Sequence, residues 1–333
     1  MTFFDENSSV PSGQEPLAND PRDLHPEQEQ SQAVLPAIPL TGDPIAYAAT
    51  SPAVAAPYPQ ALPEDLRISW SWPHLIVFVI FIFASLLTVQ LAIFAYYSAN
   101  RHVSLAELSQ LLESDPGLLV GMNVVWFALI LFFLYITLAV LRDSPFWLSL
   151  GWKKLKSVPG GSQGRPWMYF LAGCGLSIFV AILSSRVKQA DHMPIHDLLK
   201  NRAGALSLMA MAVFVAPLVE ETVFRGYLYP LLARITSAVL RFFGMEFSSS
   251  IRTGVASSIL LTGTLFGLMH GAQLGWTWGL VSLLTLVGVI FTFVRAWTGT
   301  VLASFLLHLG YNSFLAAISI IATRGFTHLP PVH

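Results

Sequence analysis

The sequence predicts an all-α fold, a polytopic transmembrane helical bundle of about seven spans. Three observations carry that prediction. Of 333 residues, 54% are hydrophobic and only 11% are charged, and the mean hydropathy is +0.61. Apolar runs long enough to cross about 30 Å of hydrocarbon recur along most of the chain. The charge is also segregated. Residues 1–65 hold ten of the nineteen acidic residues with Arg22 as their one base, which leaves seventeen basic and nine acidic residues to the remainder. That is a basic membrane domain behind an acidic tail rather than a soluble enzyme. The lone Cys174 lies in an apolar run, so an intramolecular disulfide and thiolate zinc sites are both excluded. Met1-Thr-Phe-Phe-Asp-Glu has no positive n-region, and a cleaved signal peptide is not expected.

Residues 1–67 carry eleven prolines and no sustained apolar period, a composition that predicts disorder because too little surface can be buried to offset ordering entropy. Residues 68–202 read as N-terminal transmembrane helices with a basic loop, 203–323 as the core carrying the polar motifs, and 324–333 as a short tail. The spans are expected at about 75–97, 118–141, 167–185, from 205 through the Glu-Glu-Arg group, 255–270, 276–294 and 301–322. Trp70, Trp72, Tyr96 and Tyr97 are the expected interfacial aromatics of the first span. Ser104-Leu-Ala-Glu107 has the pattern of a capping box opening a short surface helix. Residues 231–247 alternate apolar and polar positions and suggest an amphipathic helix lying in the interface. With the tail and the 142–166 loop inside, ten basic residues near the membrane fall on that side against six opposite, which favours a cytoplasmic N-terminus. In a bacterial cell that places a multi-pass protein in the plasma (cytoplasmic) membrane. The expected partners are the lipid bilayer and a membrane-embedded peptide or protein, not nucleic acid.

Within Val215-Ala-Pro-Leu-Val-Glu-Glu-Thr-Val-Phe-Arg-Gly226, three ionisable groups stand against hydrocarbon. Each costs about 2.5–3.5 kcal/mol at mid-membrane on insertion scales. Glu221 and Arg225 are four apart with the acid first, the favourable order for a helical ion pair. Glu220 lies about 100° around the helix and is left unpaired. Pro217 lacks an N–H and crowds the carbonyl of Val213, which predicts a kink.

Two more polar groups interrupt apolar spans. His270 ends the fifth, four residues after Phe266, and His308 shares a helical face with Asn312 in the seventh. Gly263, Gly267 and Gly271 would let a neighbouring helix approach closely, bringing His270 toward the fourth or seventh span. Taken singly, a membrane histidine bonded to a backbone carbonyl needs no catalytic role, and Glu221 with Arg225 fits a structural pair. Their convergence points to hydrolysis. A buried carboxylate is raised toward the pKa of a general base, and histidine and asparagine can donate to an oxyanion. The pattern H-E-x-x-H of soluble zinc proteases is absent. Glu220, His270 and His308 would suffice as ligands for a divalent metal such as zinc, but that use would leave no separate base.

Glu220-Glu-Thr-Val-Phe-Arg225, Phe266-x-x-x-His270 and His308-x-x-x-Asn312 resemble, in order and spacing, the motifs of the CAAX-protease and bacteriocin-processing (CPBP, or Abi) intramembrane proteases, over roughly residues 205–320. The resemblance implies an intramembrane endopeptidase. In it Glu220 activates water with His270, His308 and Asn312 stabilise the oxyanion, and Glu221 and Arg225 support the site. Members of the family are commonly described as metalloproteases, and a metal-free glutamate mechanism is also argued for them. A proton-coupled transporter and a non-catalytic membrane scaffold are the rival classes. The first would be expected to show inverted repeats, and none is visible.

Overall fold

The computed structural model describes residues 61–155, 164–188 and 202–327. Among these, seven helices are long and apolar enough to cross a membrane, and the chain is an integral multi-pass membrane protein with an all-α bundle. The expected tail falls outside the described residues up to 60. From residue 61 the chain is packed, and Leu66, within the short turn Glu64–Leu66, has no exposed surface. It fits against Ala233 and Ile251.

The first span, α1 (Trp72–Arg101), starts with Pro73 in its first turn and ends where His102 turns left-handed. It exceeds the expected 75–97 at both ends. Trp72 and Tyr96 are exposed as interfacial aromatics should be, but Trp70 is not one of them. It is 1% exposed, stacks on Tyr227 and donates its indole N–H to the Tyr227 carbonyl. An indole that finds both a ring and an acceptor inside the bundle has no need of the interface. The capping box forms as expected. Ser104 Oγ accepts from Glu107 N–H while Ser104 N–H donates to Glu107, opening α2 (Leu105–Ser114). Asp115 then caps α3 (Pro116–Leu134), which widens into a π turn, Tyr135–Val140. A single turn, α4 (Phe146–Ser149), and the span α5 (Pro166–Ser184) follow.

The fourth span differs most from expectation. It does not stop at the Glu-Glu-Arg group and hand over to a separate interfacial helix at 231–247. One helical segment, α6 (Arg202–Phe242), runs through both. It survives two internal prolines by changing register. A π stretch, Met211–Val215, ends with Ala216 N–H on the Met211 carbonyl, and Pro217 follows. A second, Glu221–Leu228, ends with Tyr229 N–H on the Phe224 carbonyl, and Pro230 follows. A proline ring collides with the carbonyl four residues back. The wider i→i+5 turn moves that carbonyl aside, so the strain predicted as a kink at Pro217 takes the form of two π stretches.

Glu246 opens α7 (Phe247–Met269) by accepting from the N–H groups of Ser248 and Ser249. Those bonds and the Ser248 hydroxyl hold its carboxyl down to about 2. The sixth span, α8 (Trp278–Thr298), ends on Gly299 at φ 72°, and α9 (Val301–Ala322) follows after Thr300 caps it.

Lipid tails are as apolar as leucine, so close packing and interhelical hydrogen bonds hold such a bundle together. Helix α7 lies against α6 and α8, and α5 lies against α9. The Gly263 and Gly267 stripe faces α8, not the fourth or seventh span, and a Cβ at either position would press into the backbone of Val289 or Thr285. Gly271 sits past the helix against the Trp276 ring. At the α5–α9 crossing, Gly173 faces the Leu307 carbonyl and Gly310 faces that of Phe170, so the two backbones touch.

Candidate active site

The motif residues lie in the second π stretch of α6 and just before it, where side chains of α7, α8 and α9 converge. Glu221 and Arg225 are both fully buried and paired at 3.0 Å, as their spacing predicts. The guanidinium has more partners than that. Its Nη2 donates to the Gly288 carbonyl at 3.0 Å and its Nε to Thr292 Oγ1 at 3.3 Å, both on α8. Phe224, Phe266 and Phe291 surround it, with Phe266 nearest at 4.6 Å to the ring centre. A desolvated cation over an aromatic face gains about 2 kcal/mol or more. Phe266 is therefore more than filler, since its ring also meets His270 at 4.8 Å and His308 at 5.8 Å.

The same carboxylate serves a second partner. His308 is 3% exposed, and its Nδ1 stands 3.0 Å from Glu221 Oε1. A carboxylate only accepts, so Nδ1 carries the proton and Nε2 is the nitrogen left for chemistry. Nε2 faces Glu220 Oε2 at 3.8 Å and accepts from Asn312 Nδ2 at 3.3 Å. Asn312 Nδ2 also donates to the Ala212 carbonyl at 2.7 Å. Glu220 itself is 16% exposed, and its carboxylate makes no hydrogen bond with a described residue. At 3.8 Å the two atoms are too far apart for a direct hydrogen bond.

Helix α7 brings His270 against the Phe266 ring. Its Nδ1 donates to the Phe266 carbonyl at 2.8 Å, which leaves Nε2 as an acceptor. No hydrogen bond or ion pair joins it to Glu220 among the described residues. The structure thus gathers Glu220, Glu221, Arg225, Phe266, His308 and Asn312 into one contact network and adds His270 through an aromatic ring. Among the described residues, no group of three His, Cys, Asp or Glu could hold a metal ion. Glu220, His270 and His308 as they stand do not fit a zinc centre of three protein ligands.

Sequence reasoning missed the α8 partners Gly288, Phe291 and Thr292, and it missed that Glu221 reaches His308. A polar Thr292 four residues after Gly288 in an apolar span was the available signal for the first. Trp152, from the basic loop, was missed as well; its indole N–H donates to Thr222 Oγ1, inside the motif, at 3.2 Å.

No curated protein and no solved structure matches the chain. Residues 202–314, the stretch that contains every residue of the network, match the family model of the type II CAAX prenyl endopeptidase Rce1-like proteins, the family that the three motifs resemble.

Proposed function

We propose that this protein is an intramembrane endopeptidase that hydrolyses a peptide bond of a membrane-associated peptide or protein with a water activated by Glu220. One observation carries the reading. Two adjacent glutamates are held in opposite situations, Glu221 sealed and paired with Arg225, and Glu220 partly open with its carboxylate uncommitted beside His308 Nε2. An unpaired carboxylate is expensive inside a bilayer and marks function there.

In this mechanism Glu220 takes a proton from water as the oxygen attacks the scissile carbonyl, and His270 Nε2 accepts from the same water. Negative charge then develops on the carbonyl oxygen. His308 takes a proton on Nε2 from solvent before the attack, donates it as a hydrogen bond to that oxygen and keeps it when the intermediate collapses, with Glu221 on Nδ1 supporting the imidazolium as the aspartate of a serine-protease triad does. A protonated Nε2 no longer accepts from Asn312, so the second amide hydrogen of Asn312 turns to the same oxyanion. Glu220 finally passes its proton to the leaving amine. The matched family description names a prenyl endopeptidase, so a prenylated peptide is the first substrate to try.

The test uses the full-length protein in detergent and an internally quenched peptide ending in prenyl-cysteine, two aliphatic residues and a variable residue, with its unprenylated twin. Wild type cleaves the prenylated probe faster. Glu220→Gln lowers the rate by about 10²–10⁴ with an unchanged melting temperature. Wild-type cleavage by Glu220→Gln would refute the assignment.

A further inference from the structure

The geometry points to Pro217 as a positioning residue for the His308–Asn312 pair, acting through a hydrogen bond that it withholds. Inside a helix the Ala212 carbonyl has two prospective backbone donors, the N–H groups of residues 216 and 217. Ala216 N–H is committed to Met211, in the i→i+5 register of the Met211–Val215 stretch. The next bond in that register would come from residue 217, and proline has no N–H. The Ala212 carbonyl is thereby freed at membrane depth, where an unpaired backbone group costs several kcal/mol. Asn312 Nδ2 reaches it across 100 residues of sequence at 2.7 Å.

That bond has a consequence for the catalytic histidine. An amide nitrogen carries two hydrogens in one plane. With one fixed on Ala212, the other is aimed at His308 Nε2, 3.3 Å away. Asn312 therefore holds Nε2 as an acceptor until it is protonated, and Glu221 holds Nδ1 as the donor from the other side. The ring is clamped in one tautomer and one orientation. The clamp is anchored on α6 only because Pro217 leaves a carbonyl unclaimed. A residue with an N–H at 217 returns a backbone partner to Ala212, whether the turn stays wide or relaxes to α, and that partner competes with Asn312 for the oxygen and weakens or displaces the anchor. This inference rests on the hydrolytic reading for its effect on rate; the exchange of hydrogen bonds stands without it.

The experiment compares full-length wild type, Pro217→Ala, Asn312→Ala and the double variant in one detergent. In the wild-type background Asn312→Ala strands the Ala212 carbonyl and lowers the melting temperature by roughly 2–8 °C. In the Pro217→Ala background the same substitution costs less than about a third of that, because the backbone now satisfies Ala212. With ¹⁵N-labelled histidine, the His308 Nε2 resonance, assigned with His308→Gln, shifts in Pro217→Ala as it loses the Asn312 bond. On the prenylated probe, Pro217→Ala lowers kcat by about 10- to 100-fold with little change in KM. Pro217→Leu, a second variant that restores the N–H, carries the same expectations if Pro217→Ala does not accumulate. Melting losses that simply add, or an unshifted Nε2 signal, overturn the inference. If wild type cleaves no probe, the peptidase reading fails on that result, and the melting cycle and the nitrogen signal still decide this one.

Discussion

His308 Nδ1–H donates to Glu221 Oε1 at 3.0 Å, and Arg225 Nη1 reaches that same oxygen at 3.0 Å. One carboxylate oxygen thus neutralises a buried cation and orients the histidine. Glu221 has two roles that its position in the sequence does not separate, and substitution can separate them.

Glu221→Gln still offers an oxygen to Nδ1 but cannot balance a charge on the ring. It lowers kcat on the order of 10²–10⁴, while KM for the prenylated probe changes little. A proportional rise in KM instead would place Glu221 in substrate binding.

Removing the cation leaves a fully buried carboxylate unpaired. Arg225→Ala is expected to cost about 3–5 kcal/mol of stability, read as lower yield and melting temperature. The double variant Glu221→Gln/Arg225→Ala recovers part of that loss. Full stability in Arg225→Ala would show that the Gly288, Thr292 and phenylalanine contacts carry nothing.

His270 bears on the metal question. If Glu220 works with His270 alone, purified active protein contains no stoichiometric metal, a chelator leaves cleavage unchanged, and His270→Ala loses activity with no change in metal content. Joint loss of activity and bound zinc in His270→Ala would bring the three scattered donors together in the working enzyme.

The proposed orientation, with the 142–166 loop in the cytoplasm, follows from the retention of positive charge inside. In a Cys174→Ala background, Thr327→Cys labels with an impermeant thiol reagent on intact cells and Ser157→Cys is protected. The opposite pattern reverses the topology.

Much of this was legible in the sequence. Each of the seven spans could be found, because twenty apolar residues in a row have one economical use. Val301–Ala322 falls where its hydropathy puts it. The Glu221–Arg225 pair was readable because both partners lie on one helix. What could not be read depends on neighbours far away in the chain. Trp70 carries the mark of an interfacial aromatic until Tyr227 is seen beneath it. The glycine stripe announces a close neighbour but not which one, and the neighbour is α8. The end of the fourth span was misplaced because the Glu-Glu-Arg group reads as its far end, whereas the helix runs on past Pro217 and Pro230 through changes of register. His308 meeting Glu221 is a contact across 87 positions, and no local pattern encodes it.

The length of α6 also sets how far the candidate site lies from the end of α8. Tyr229 lies level with the last turn of α8, since the Arg295 guanidinium sits over its ring at 5.6 Å, one turn before Thr298. Glu220 lies nine residues back along α6, at most about 14 Å away at the α-helical rise because the stretch between is π, which is under half of a hydrocarbon layer about 30 Å thick. An extended peptide covers about 3.3 Å per residue. On the proposed hydrolytic reading, a peptide entering from the α8 end brings at most about its fourth residue level with the carboxylate. On that reading the helix works as a ruler, selecting the bond to be cut by its distance from the end of α8 as well as by its sequence.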